Sequence, residues 1–149
     1  IHDKMMVLGA NLLVTTLTGL ITHTLVEKDQ EAIINQDPSL LKHAPKIFTE
    51  TCTVDWHNNT DSIFNLIRGL SPFPGALTKL DDKIFKIFAA QKEICNHNHL
   101  AGAIVTDHKT YLKFACADGY IHVLDLQLEG KKRMQVQDFL RGYKINSAL

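Results

Sequence analysis

Three side chains able to bind a soft metal ion fall within five residues, Cys95-Asn96-His97-Asn98-His99. Neutral imidazole and thiolate suit zinc or copper. Structural zinc sites, however, split their ligands into two separated pairs, and no second cluster follows here. The stretch reads instead as a solvated loop between strands, with no metal assigned. His57, His108 and His122 have no nucleophile beside them. The chain also lacks a phosphate-cradling glycine loop, a nucleophile elbow and a zinc-protease helix pair. No catalytic, cofactor-binding or metal-binding residue is assigned.

The basic side chains offer different chemistry. Lys79, Lys83, Lys86, Lys113, Lys131, Lys132, Arg133, Arg141 and Lys144 recur on strand-like segments and near the last helical one. On a small barrel, such residues can follow a nucleic-acid backbone by neutralising phosphates and releasing counterions. Ordinary solvated lysines give the same pattern. The 149 residues carry no net charge, but residues 1–55 sum to −3 and residues 56–149 to +3, so the second half is the part suited to a polyanion. Arg68 suits the negative end of a helix and could also pair with Asp55 or meet a phosphate. Trp56 reads as a core anchor rather than a base-stacking ring.

These residues need a scaffold. With 45% apolar residues the chain can bury a core without a metal or disulfide. Cys52, Cys95 and Cys116 are odd in number and widely spaced, which fits reduced thiols and a cytoplasmic setting. Residues 5–26 hold no Asp, Glu, Lys or Arg, so a membrane span has to be weighed. Asn11, Thr15, Thr18 and Thr22 nevertheless make a polar stripe at helical spacing, and the segment is read as an amphipathic helix over about 2–22. Residues 24–42 read as a linker, with a short helical turn begun at Asp37-Pro38-Ser39 and stopped by Pro45. Asn58-Asn59-Thr60 caps a helix over 60–68 ended by Gly69, and Pro72 and Pro74 imply an extended entry to the next segment. From Gly75 the period is two, giving strands near 75–80, 83–90, 102–107, 110–116 and 120–127. Asp81-Asp82, Asp107-His108-Lys109 and Asp118-Gly119 supply short turns, so the sheet is antiparallel and a small closed barrel is expected. Along 110–116, Leu112, Phe114 and Cys116 should be buried and Tyr111, Lys113 and Ala115 wet. A last helix over 136–142 buries Phe139 and Leu140. The fold class is mainly β with flanking helices: a five-stranded antiparallel barrel, after an isolated helix and a linker.

Several stretches resemble the methionyl-tRNA formyltransferases. They are Asp55-Trp56, then residues 65–76 reading NLIRGLSPFPGA, then Gly130-Lys131-Lys132-Arg133-Met134 with Asp138-Phe139-Leu140-Arg141-Gly142. Upstream, His2-Asp3-Lys4, Leu8-Gly9-Ala10 and Leu12-Leu13 resemble the last helix of that family's catalytic domain, and Ala44-Pro45-Lys46-Ile47 its linker. The resemblance runs in order along nearly the whole chain. It implies a helix of an upstream Rossmann-like domain at 1–23, a linker at 24–47 and an OB-like (oligonucleotide/oligosaccharide-binding) tRNA-binding domain at 48–149. The first residue is Ile, and the chain is expected to begin inside a longer one.

By the same resemblance, the parent enzyme moves a formyl group from its co-substrate 10-formyltetrahydrofolate to methionyl initiator tRNA. No residue here matches the family's catalytic Asn, His and Asp, so the chain is expected to be inactive alone and to hold no cofactor. Lys46, Lys79, Lys83, Lys86, Lys113, Lys131, Lys132, Arg133 and Arg141 are the implied tRNA-phosphate contacts. Implied partners are the tRNA and the catalytic domain in cis, with no membrane and with the apolar first helix able to pair two copies. Two departures stand out: Gln135 replaces a capping Ser or Thr, and 24–37 lacks the family's proline before its Gln. A related formyltransferase, acting on amino sugars or belonging to formyltetrahydrofolate dehydrogenase, would give the domain a structural role without RNA.

Overall fold

The computed structural model describes residues 2–34, 39 and 41–146, of which His2, Ala32 and Ile33 are described in backbone only. The chain divides into two compact units, Ile1–Pro45 and Lys46–Leu149.

In the first unit, helix α1 (His2–Ile21) precedes a short helix α2 (Gln30–Ile34). The Thr15 hydroxyl donates to the Asn11 carbonyl (3.0 Å) and that of Thr22 to the Thr18 carbonyl (2.8 Å), so two polar groups of the stripe are satisfied within the helix. Leu8, Leu12, Leu13 and Leu17 are exposed. By length and composition α1 could cross a membrane. The linker thus holds a helix that its mixed composition did not announce. Of the expected turn after Asp37, residues 35–38 and Leu40 lie outside the described residues, Ser39 is helical, and residues 41–48 carry no regular structure.

In the second unit, a 3-10 turn (Glu50–Cys52) leads to helix α3 (Thr60–Leu70). Asn59 caps it, its side-chain oxygen accepting from the Ser62 backbone N–H (2.8 Å). Ile63, Ile67 and Leu70 form its buried stripe at i, i+4 and i+7. The helix runs through Gly69, which has open space around it, instead of ending there. Residues 71–74 form a tight turn rather than an extended entry, since the Gly75 N–H bonds back to the Leu70 carbonyl (2.9 Å).

The sheet comprises β1 (Ala76–Leu80), β2 (Lys83–Ile94), β3 (Ile104–Thr106), β4 (Leu112–Cys116), β5 (Gly119–Leu128) and β6 (Met134–Gln135), followed by helix α4 (Val136–Gly142). Every ladder is antiparallel, in the order β1-β2-β5-β4-β3, with β6 on β5. Asp81 and Asp82 both have positive φ (47° and 64°), the turn that joins two strands with two residues. The five expected strands are present in order, with β2 longer and β3 shorter than expected; β6 is additional. The sheet curls so that Lys79 of β1 and Ile104 of β3 line one open cleft of about 680 Å³. No ladder joins β1 to β3 among the described residues, so the result is a half-barrel rather than a closed one.

The concave face holds the core. Leu80, Phe85, Ile87, Phe114, Ile121, Leu126 and Leu128 are almost wholly buried there with α3 and with Phe139 and Leu140 of α4. Each such side chain contributes about 1.5–3 kcal/mol by leaving water. Phe85 lies 6.0 Å from Phe114 and 5.8 Å from Phe139, centroid to centroid. Trp56 is the expected anchor: it stacks on Phe114 at 4.5 Å, and its indole N–H donates to the Thr78 hydroxyl (3.0 Å). Ala115, expected to be wet, is fully buried, because Tyr120 stands opposite it on β5. Gln135 stands at the N-cap of α4 without a side-chain bond, as its length suggests.

Candidate nucleic-acid interface

Strand pleating decides which basic residues share the convex face. On β5, Ile121, Val123, Leu126 and Leu128 point into the core, which turns Tyr120, His122, Asp125 and Gln127 outward. The register then sorts the neighbouring strands.

At one end of this face, Lys86 stands opposite Leu77 on β1 and Gln127 on β5, while Lys79 stands opposite Ile84. Lys79 and Lys86 are therefore diagonal neighbours, about 7 Å apart at their backbones. The Gln127 side-chain amide donates to the Lys131 carbonyl (2.9 Å), pinning the loop that carries Lys131 and Lys132 beside Lys86. No described carboxylate lies within ion-pair distance of these four lysines. Glu129 is nearby, but its carboxylate accepts from the Ile84 backbone N–H (3.0 Å).

The middle of the face is occupied by a bulge. The β2 register shifts between Ile87 and Ala89, and Phe88, two residues on from Lys86, faces outward with it. Gly75 (φ 86°) lies against that ring, where an added Cβ would be 2.8 Å from it. Arg133 covers the ring at 4.3 Å while its guanidinium donates to Asp125 from Nε (2.9 Å) and from a terminal nitrogen (2.5 Å). Its charge is thereby largely neutralised.

The far end is also neutralised. Lys113 Nζ donates to the Glu93 carboxylate (3.0 Å) and sits 3.9 Å above the Tyr120 ring. His122 Nε2 meets the same Glu93 oxygen at 2.5 Å. His97 and His99 pack around Tyr120, whose hydroxyl is 2.8 Å from His99 Nδ1. His97 and His99 are thus tied to protein groups. Among the described residues no three His, Cys, Asp or Glu side chains gather around a common point suited to a metal ion.

Of the sequence-derived candidates, Lys79 and Lys86 are diagonal neighbours, Lys131 is held beside Lys86 through its backbone with Lys132 next in the chain, and Lys113 and Arg133 share the face as members of ion pairs. Lys83 shares the inward parity of Phe85 and sits beyond the core, 5.7 Å over the Tyr143 ring. Arg141 is on α4, paired with Asp138 (3.3 Å), beside Lys144. Lys46 lies 5.6 Å over the Phe48 ring. Arg68 stacks on Phe64 at 5.4 Å, and Asp55 pairs with His57 (2.9 Å) instead of Arg68. Glu93 and Gln127 were missed by the sequence reading. Gln127 alternates with the inward Leu126 and Leu128 and could have been found that way, whereas Glu93 lies beyond the strand expected at 83–90 and shares the odd spacing of the inward Phe85 and Ile87, so no local signal marked it.

Two hydrogen bonds make Glu93 unusually acidic. The His122 bond, then the Lys113 bond, lower its carboxyl from 4.5 to about 2. A carboxylate more acidic folded than unfolded adds stability above its ordinary value, and that stability is lost as pH falls from about 4.5 toward 2. The group is partly exposed, so solvent screens the effect. On acidification through that window, Glu93→Gln should lose less of its thermal midpoint than the wild type, measured by circular dichroism.

Residues 46–144 match the family described as formyl transferase, C-terminal domain. The chain is 44% identical over 149 residues to a methionyl-tRNA formyltransferase of Phocaeicola vulgatus, covering 97% of this chain and 46% of that protein. It is 45% identical over 150 residues to the methionyl-tRNA formyltransferase of Azobacteroides pseudotrichonymphae, with 95% and 45% covered. The chain therefore spans about half the length of the curated relatives it matches. Among solved structures, a variant of HypX from Aquifex aeolicus superposes with a TM-score of 0.51 at 21% identity, over 78% of this chain and 24% of that one, which is a likeness of fold.

Proposed function

The chain belongs to the formyl transferase C-terminal domain family, and from that premise we propose that it is the tRNA-holding part of a methionyl-tRNA formyltransferase. In this reading the parent enzyme transfers a formyl group from 10-formyltetrahydrofolate to methionyl initiator tRNA in the cytoplasm. Residues 48–149 form the tRNA-binding domain, 24–47 the linker and 1–23 the last helix of an upstream catalytic domain, which covers the exposed apolar side chains of α1. The chain by itself does not catalyse the transfer.

What supports RNA binding is one observation: Lys79 and Lys86 are neighbours on the convex face, the loop of Lys131 and Lys132 is tied beside Lys86 through the Gln127 to Lys131 bond, and none of the four pairs with a described carboxylate. Phosphate contacts of this kind orient an RNA without reading its sequence. Because Lys113, Arg133 and Arg141 are already paired, those four lysines carry most of the proposed contact, with Lys46 and Lys83 as outlying cations.

The test is a binding titration of the chain with methionyl initiator tRNA at rising salt. Four phosphate contacts give a slope of log affinity against log salt near −3 to −4, or roughly a hundredfold weakening from 50 to 200 mM. Undetectable binding even at low salt would leave the domain with a structural role only.

A further inference from the structure

Lys113 and Lys86 are both lysines on outward positions of one sheet, yet their surroundings differ. Lys86 faces a neutral glutamine across β5. Lys113 is only 16% exposed at its side chain, lies over the Tyr120 ring and donates to Glu93. The same Glu93 oxygen holds His122, which stands directly opposite Lys113 on β5. One carboxylate therefore occupies both basic groups at that end of the face. A charge-assisted bond of this geometry removes donors that a phosphate would otherwise use.

We propose that Glu93 is a specificity-determining mask: it withholds Lys113 and His122 from RNA and confines phosphate contact to the Lys79, Lys86 and Lys131 end of the convex face. The inference rests on the RNA-binding reading above. It adds a negative charge as the boundary of the footprint, and selectivity arises as much from repelling the wrong contact as from attracting the right one. Glu93 remains ionised at any pH above its lowered value, so the mask persists at neutral pH. Cys95 also reaches the second Glu93 oxygen (3.7 Å), and the amide of a glutamine can still bridge these neighbours.

Glu93→Gln keeps the shape and removes the charge. With methionyl initiator tRNA as the probe, Glu93→Gln should tighten binding several-fold at low salt and steepen the salt slope by about one contact. Lys113→Met alone should leave affinity within about twofold, because that lysine is masked. Combined with Glu93→Gln, Lys113→Met should cancel the gain. Thermal unfolding of each variant verifies that it is folded. Should either single variant fail to fold, Glu93→Asp, whose shorter arm cannot hold both groups, should give an intermediate gain. The mask is overturned if Glu93→Gln or its substitute binds like wild type, or if Lys113→Met weakens wild type as much as it weakens the Glu93→Gln background. If neither wild type nor any variant binds tRNA, the RNA-holding reading itself falls, and the mask with it.

Discussion

Replacing Gly119 by alanine is expected to destabilise the sheet domain by about 3 kcal/mol or more, at the upper end of what overpacking costs. A Cβ built on Gly119 would lie 2.0 Å from the Glu93 carbonyl oxygen and 3.0 Å from the Ile94 Cα. Both are backbone atoms of the paired strand, so no side chain can rotate away. Relief requires β2 and β5 to part where Ile94 meets Gly119 and Glu93 meets Tyr120. Those strands carry Phe85, Ile87, Ile121 and Leu126 into the core, so the strain acts on the longest ladder of the fold. Urea unfolding of the Gly119→Ala chain should show a lower midpoint, whereas Gly142→Ala, with open space around it, should sit close to wild type.

The second large effect concerns binding. Lys79→Gln, Lys86→Gln, Lys131→Gln and Lys132→Gln combined should flatten the salt slope for initiator tRNA by about 3 and weaken low-salt affinity by at least a hundredfold. The four side chains are exposed or half-buried and make no ion pair with a described carboxylate, so their loss removes little packing. Lys83→Gln with Lys144→Gln has the same kind of charge change away from the convex face, and its binding should stay within a few-fold of wild type. Filter binding at several salt concentrations separates the two sets.

Local chemistry made much of this fold legible from the residues. Asn59 as a cap, the two aspartates of the β1–β2 turn and the alternation around Phe114 follow from propensities that act over a few residues. Trp56 as an anchor follows from its size and its single polar atom. The outward parity of Lys86 against the inward parity of Lys83 was also legible, since three residues along a strand reverse the face. What was not legible depends on register between distant segments. Glu93 reaches Lys113 and His122 only because β2, β5 and β4 are neighbours, and 20 to 29 residues separate those partners in the chain. The bulge after Ile87 reverses the parity that Phe85 and Ile87 set, so that Glu93 lies outward, and no local pattern marks it. The curled five-stranded antiparallel sheet is the OB-like barrel expected, and that it stays a half-barrel, with no ladder between β1 and β3 among the described residues, is again a matter of pairing between distant segments. The face shared by the four lysines is therefore partly a product of local alternation and partly of the Gln127 to Lys131 bond, which belongs to the loop geometry.

The most direct test of the convex face as the RNA surface is lysine reactivity toward an amine-modifying reagent, read by mass spectrometry with and without saturating methionyl initiator tRNA. Lys79, Lys86, Lys131 and Lys132 should become protected together, while Lys144 and Lys109 stay reactive. Uniform protection of every lysine, or protection of Lys144 with the four convex-face lysines unchanged, would contradict the account.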